Sequence, residues 1–164
     1  AKKAGCAHTN VYNYYNNLQD LFSHAVIEAL RFYIEFSKRN VNARDNPEKQ
    51  LEIIFSNQID FAIEHKGLYR LIWIDEVGDN PSHELLVFSK VPGTELTNAL
   101  LKLTGNSHTF STMSSIKDVL HGYLHGEICK LLFRSVLVKD LRNRKKRIIN
   151  NIKMLFIKLS GINI

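Results

Sequence analysis

The sequence predicts an all-α protein. Apolar residues recur at three- and four-residue spacings through nearly every long segment, no segment reads convincingly as a strand, and capping residues and chain breaks divide the chain into pieces of helical length. The 164 residues suit one domain, or one domain with a small appendage. At 45% hydrophobic and 23% charged, the composition is that of a globular chain, which excludes disordered, collagen-like and low-complexity classes. No apolar run approaches the roughly 18 residues of a membrane span. Ala1-Lys2-Lys3 leads into polar residues rather than the apolar core of a secretory signal. Two cysteines, Cys6 and Cys129, are too few for a disulfide framework. A cytoplasmic protein without membrane contact is expected.

From Leu18, the residues Leu21, Phe22, Ala25, Ala29, Phe32, Tyr33 and Phe36 mark one buried helix face. Asn17 can cap this helix, with Asp20 near its positive end and Lys38 and Arg39 at its negative end. Asn46 and Pro47 start the next helix, whose apolar face is Leu51, Ile54, Phe55, Ile59, Ala62 and Ile63. His65-Lys66-Gly67 reads as its C-terminus, with Gly67 supplying left-handed geometry. A short apolar segment, Leu68 to Val77, follows. Gly78-Asp79-Asn80-Pro81 breaks the chain before a short helix ending near Lys90. Pro92-Gly93-Thr94 starts another helix, which Gly105 closes.

A long helix then runs from about Ser111 or Ser115 to Ser135, with a narrow polar stripe of Glu127, Lys130 and Arg134. Leu120, Leu124, Ile128 and Leu131 form one apolar face; Val119, Gly122, Gly126, Cys129 and Phe133 form another. A helix apolar on two sides is central in its assembly. Two helical glycines cost about 1 kcal/mol each relative to alanine, so close packing against another backbone is the expected motive. The last helix, around Lys139 to Leu159, aligns Leu141, Ile148, Ile152, Leu155 and Leu159.

Charge is unevenly placed within the net +6. Residues 1–82 carry nine basic and eleven acidic side chains, and residues 83–164 carry thirteen and five. The excess gathers at Lys139, Arg142, Arg144, Lys145, Lys146 and Arg147. Such a run could attract nucleic acid or an anionic membrane, but without interleaved aromatics it reads as a solvated helix face.

The first 22 residues hold the most specific pattern: Ala4-Gly5 at a turn, Tyr12 on the following helix, the pair Tyr14-Tyr15, and Leu21-Phe22 opening the long helix. This resembles the helix-turn-helix of the TetR family of transcriptional regulators, entered part-way through its second helix. The resemblance implies a partial DNA-binding domain at 1–22, a connecting helix over 18–40, and an effector-binding and dimerisation domain at 41–164. Gly5 permits the tight turn between two short helices. Thr9, Asn10 and Asn13 are short donors and acceptors suited to base edges, and Lys3, Tyr12 and Tyr14 suit phosphates; His8 completes the DNA-facing set. Val11 and Tyr15 are expected to pack inward. Family members usually place Ser or a similar cap where Ala7 stands and often Lys where Leu18 stands. The first helix of the motif and much of the second are missing relative to the family, so an incomplete head is expected.

In that family a small molecule enters a pocket among the middle helices and changes the angle of the connecting helix. Wall candidates here are Phe55, Ile59, Phe61, Tyr69, Trp73, Phe88, Phe110 and Tyr123, with Tyr69 and Trp73 foremost because a buried phenol or indole needs a hydrogen-bond partner. His121 and His125, four apart on one helix face, join the pocket set. That spacing can hold a metal given a further ligand, but none is assignable, so no metal is expected. The resemblance also implies that the last two helices of each subunit form a four-helix interface. Val119, Gly122, Gly126, Cys129 and Phe133, with Ile148, Ile152, Leu155 and Leu159 of the last helix, are the candidates for a twofold homodimer.

There is no phosphate-binding glycine loop, no HExxH, no Gly-x-Ser-x-Gly and no cysteine with a matched base, so neither enzyme activity nor a cofactor is expected. His65 beside Asp60 and Glu64 reads as a solvated surface set. The sequence-level expectation is a ligand-responsive DNA-binding repressor, released from a double-stranded operator by a small-molecule effector. The rival is an all-α dimeric protein-interaction module. A helical enzyme with a His-based metal site is a third possibility.

Overall fold

The computed structural model describes residues 13–76, 80–133 and 140–162, and the described residues form helices joined by turns without a strand. In chain order these are α1 (Leu18–Ser37), α2 (Pro47–Glu64), α3 (Lys66–Trp73), α4 (His83–Phe88), α5 (Val91–Leu103), α6 (Phe110–Phe133) and α7 (Leu141–Ser160). Short polar side chains set the starts of most of them. Asn17 accepts the Asp20 N–H at 2.8 Å and Asn46 accepts the Lys49 N–H at 2.8 Å. Ser82 and Asp140 do the same for α4 and α7. Each satisfies a donor that the first helical turn leaves without an intrahelical acceptor. Gly105 (φ 60°) follows α5 and Gly161 (φ 65°) caps α7, both in the left-handed region open to glycine.

The junction of α2 and α3 differs from the sequence expectation. Gly67 lies inside the first turn of α3 rather than in a left-handed cap. The bend is made at His65 (φ −122°, ψ 48°), two residues earlier. Its imidazole packs among Phe32, Phe36 and Phe61, with ring centroids 4.9, 5.5 and 5.4 Å away. Aromatic packing therefore fixes the turn, and His65 is not part of a solvated carboxylate set. Asp60, its former neighbour in that reading, receives Lys145 of α7 at 2.6 Å.

The main core forms where α6 packs between α5 and α7 and over α2. Phe55 and Ile59 of α2, Leu100 of α5, Leu120 of α6, and Ile148, Ile152 and Phe156 of α7 are wholly buried there, with Leu124 and Ile128 at 1% exposure. Complete burial of each such side chain is worth about 1.5–3 kcal/mol. A smaller cluster seats α4 on α1 through Val26, Ile27, Leu30 and Leu85. Glu127, on the polar stripe of α6, is buried rather than exposed. It is 8% exposed and accepts from Lys130 at 2.7 Å and from Arg144 of α7. The basic run is thus only partly a solvated face: Arg144 and Lys145 tie α7 to α6 and α2, whereas Arg142, Lys146 and Arg147 are exposed. No described helix is long and apolar enough to cross a membrane.

Candidate functional site

A cavity of about 350 Å³ opens between α1, α3, the start of α5 and α6. Its apolar wall is Tyr33 of α1, Trp73 of α3, Pro92 and Leu96 of α5, and Phe110 at the first residue of α6, which is 48% exposed. Its polar wall is Lys90, Gly93, Thr94 and Thr97 beside Ser114, Lys117 and His121. The α6 contributors fall at 110, 114, 117 and 121, alternating four- and three-residue steps that keep them on one face. The α5 contributors come from its first turns, where Pro92 occupies an early position that needs no N–H and no side chain caps the helix.

Charge in the cavity is one-sided. Two lysines line it and, among the described residues, no Asp or Glu does. The Lys117 side chain is only 15% exposed, and its ammonium pairs with the exposed carboxylate of Asp118. That ammonium also sits 3.5 Å from where a Cβ on Gly93 would stand, against the first turn of α5. His121 is held neutral: burial, then His125 and Lys117, push it down to about 4.

Behind His121 lies a row of polar rings. His121 and His125 stack with centroids 6.3 Å apart, and Trp73 lies 5.1 Å from His121. The Tyr69 hydroxyl is 2.7 Å from His125 Nδ1, and His125 Nε2 is 3.6 Å from Cys129 Sγ. Burial holds the Tyr69 phenol protonated well beyond its ordinary range. A phenol donating to Nδ1 favours the Nε2–H tautomer, which directs its proton at the Cys129 sulfur. The Trp73 indole Nε1 is buried with no hydrogen-bond partner among the described residues, a deficit of about 1–3 kcal/mol.

Of the pocket residues expected from sequence, Trp73, Phe110 and His121 line this cavity, and Tyr69 and His125 stand behind it. The others do not. Phe55, Ile59 and Phe61 are fully buried, because their side of α2 meets the other helices of the core. Phe88 packs with the small cluster beneath the Arg31 guanidinium, 4.9 Å from its ring centroid. Tyr123 receives a 2.7 Å hydrogen bond from Asn151 of α7, away from the cavity. Tyr33, Thr97, Ser114 and Lys117 were missed. The last two were findable, since they continue the His121 face upstream by whole helical turns.

Of the expected DNA-facing residues, Lys3, His8, Thr9, Asn10 and Tyr12 lie outside the described residues. Asn13 and Tyr14 form a turn before α1, with Tyr14 83% exposed. Tyr15 packs edge-on against His24 at 5.2 Å.

The expected dimer residues divide sharply. Val119 and Phe133 are each 50% exposed, and among the described residues nothing beyond the helix's own backbone lies within 4 Å of a Cβ built on Gly122 or Gly126. Leu159 is 44% exposed, Leu155 packs partly into the core, and Cys129 is half-buried at the His125 end of the ring row. Ile148 and Ile152 are corrected: both are wholly buried in the chain's own core, so their stripe on α7 is used internally and cannot meet a partner.

Among the described residues, no group of three His, Cys, Asp or Glu side chains gathers for a metal. No protein-family model matches the chain, and a search of curated proteins finds no significant match.

Proposed function

We propose that the chain is the regulatory body of a ligand-responsive, homodimeric DNA-binding regulator, a repressor released from its operator by a small molecule. One observation carries the reading: Tyr33, on the helix that leads out of the front segment, forms a wall of the cavity. A molecule in that cavity presses on α1, the element that would set the angle of a DNA-reading head. Release requires only that the ligand bind the DNA-incompetent state more tightly, and about 1–3 kcal/mol of such coupling is ordinary. The Trp73 indole supports the same reading, as a buried polar group left without a hydrogen-bond partner among the described residues. The open strip of Val119, Gly122, Gly126 and Phe133 supports pairing of two copies through α6.

The test is selection of duplexes from a random pool by the protein. Enrichment of an inverted repeat is expected, with Asn10→Ala weakening specific binding more than nonspecific binding. Sequence-independent capture, or none, would sink the proposal. A dimer that selects no duplex would favour the rival, an interaction module built on the exposed α6 strip.

A further inference from the structure

We propose that the cavity takes a small organic anion, a carboxylate with an apolar or aromatic body, whose acid group sits between Lys117 and the first turn of α5. The inference rests on the reading of the cavity as a ligand site and adds its chemical class.

Three features of the wall point to an anion. The first is charge balance, because Lys90 and Lys117 line the cavity and, among the described residues, no carboxylate does. The second is the state of Lys117. Its side chain is largely withdrawn from water at 15% exposure, and its described hydrogen-bond partner is Asp118, itself 69% exposed. An ammonium has three donors, so an acceptor inside the cavity would complete its shell. The third is placement. The positive end of a helix repels a cation, yet the Lys117 Nζ lies against the uncapped first turn of α5, over Gly93. A negative group between them turns two repelling positive ends into two ligands for one anion.

The remainder of the wall fits an apolar body. Tyr33, Trp73, Leu96 and Phe110 surround the space, which lies at the small end of the roughly 300–1,000 Å³ typical of ligand sites. His121, neutral and beside Trp73, offers a hydrogen bond without adding charge that would bind anions indiscriminately.

The test uses the chain as it stands and its single tryptophan, Trp73, as the reporter. Benzoate, 3-phenylpropionate and hexanoate are titrated against benzamide, 3-phenylpropionamide and hexanamide, following Trp73 fluorescence. The best carboxylate is expected to bind at least about tenfold more tightly than its amide. Lys117→Gln should erase that preference, so that each carboxylate binds no more tightly than its amide, and Ser114→Phe, which fills the space, should abolish binding of both. Carboxylate and amide binding alike would overturn the anion assignment and leave the ligand site standing. No binding by any of the six would overturn both. A preference that survives Lys117→Gln would place the anion elsewhere and overturn the proposal.

Discussion

Two sides of α6 contrast in what they leave unfinished. Toward α1 and α5, Ser114, Lys117 and His121 bring polar groups to a place where water is restricted. Away from the chain, Val119, Gly122, Gly126 and Phe133 bring apolar and small groups to a place where water is abundant. Between these sides run Leu120, Leu124, Ile128 and Leu131, which are buried within the core. The comparison shows how one helix can be apolar or small around most of its circumference while only one of its stripes enters the core. One stripe is satisfied by the fold, one lines the proposed ligand cavity, and one is the proposed contact with a second copy.

The most damaging way to break this division is to hollow the satisfied stripe. Leu124 is 1% exposed, so Leu124→Ala removes packed methyl groups and leaves a void. A loss of about 2–5 kcal/mol is expected in urea unfolding. A loss below about 1 kcal/mol would show that the core near the middle of α6 collapses freely.

A smaller effect separates the cavity stripe from the core by pH. His121 is pushed down to about 4 by burial, then by His125 and Lys117, against an ordinary value of 6.5. The folded state therefore resists a proton that the unfolded chain accepts. The stability tied to the neutral ring is fully present above pH 6.5 and is lost as pH falls from there toward 4. The slope approaches about 1.4 kcal/mol per pH unit, roughly 2 kcal/mol by pH 5. Unfolding of the wild type and His121→Gln across this range isolates the term, because other titrating groups cancel in the difference. Equal pH dependence in the two proteins would mean that the ring is open to protons in the folded state.

The ring row gives a smaller term. Tyr69→Phe removes the hydroxyl 2.7 Å from His125 Nδ1 and leaves that nitrogen without its described partner. About 1–3 kcal/mol should be lost. The Trp73 emission is expected to shift as His125 and His121 re-orient against it. An unchanged spectrum would uncouple the row from the cavity.

How much of this was legible depends on whether a residue's role is settled within its own helix. Asn17, Asn46 and Pro47 act on the next turn of the same chain, so the helix starts were readable from adjacent residues. The Leu120–Leu124–Ile128 stripe was readable for the same reason, as a period along one segment. Ile148 and Ile152 show the limit. Periodicity marked their stripe on α7 but not its destination, and α2 and α6 rather than a partner cover it. Glu127 shows the converse, since a carboxylate on a narrow polar stripe with Lys130 gave no sign within α6 that Arg144 would reach it from α7. In the cavity, His121 and Trp73 were visible as chemistry, whereas Tyr33 and Thr97 were not. Both lie on buried faces of amphipathic helices, and only tertiary packing turns those faces toward a space rather than a neighbour.

Gly126→Leu sharpens the comparison most finely, because it moves two quantities in opposite directions. A Cβ at this position meets nothing within 4 Å among the described residues beyond the helix's own backbone, so a larger side chain has open space in one copy. Replacing glycine within a helix also recovers up to about 1 kcal/mol of helix propensity. The unfolding free energy of a single copy should therefore hold or rise slightly. If α6 meets another backbone across Gly122 and Gly126, the same leucine fills the gap that lets the two approach. Association should then weaken by at least about tenfold, near 1.4 kcal/mol, seen in light scattering as a shift toward monomer mass at a fixed concentration. A stabilised monomer with lost association assigns the glycines to an intermolecular contact. Stabilisation with unchanged mass would leave the outer stripe of α6 without that partner, and the dimer, if present, would have to form elsewhere.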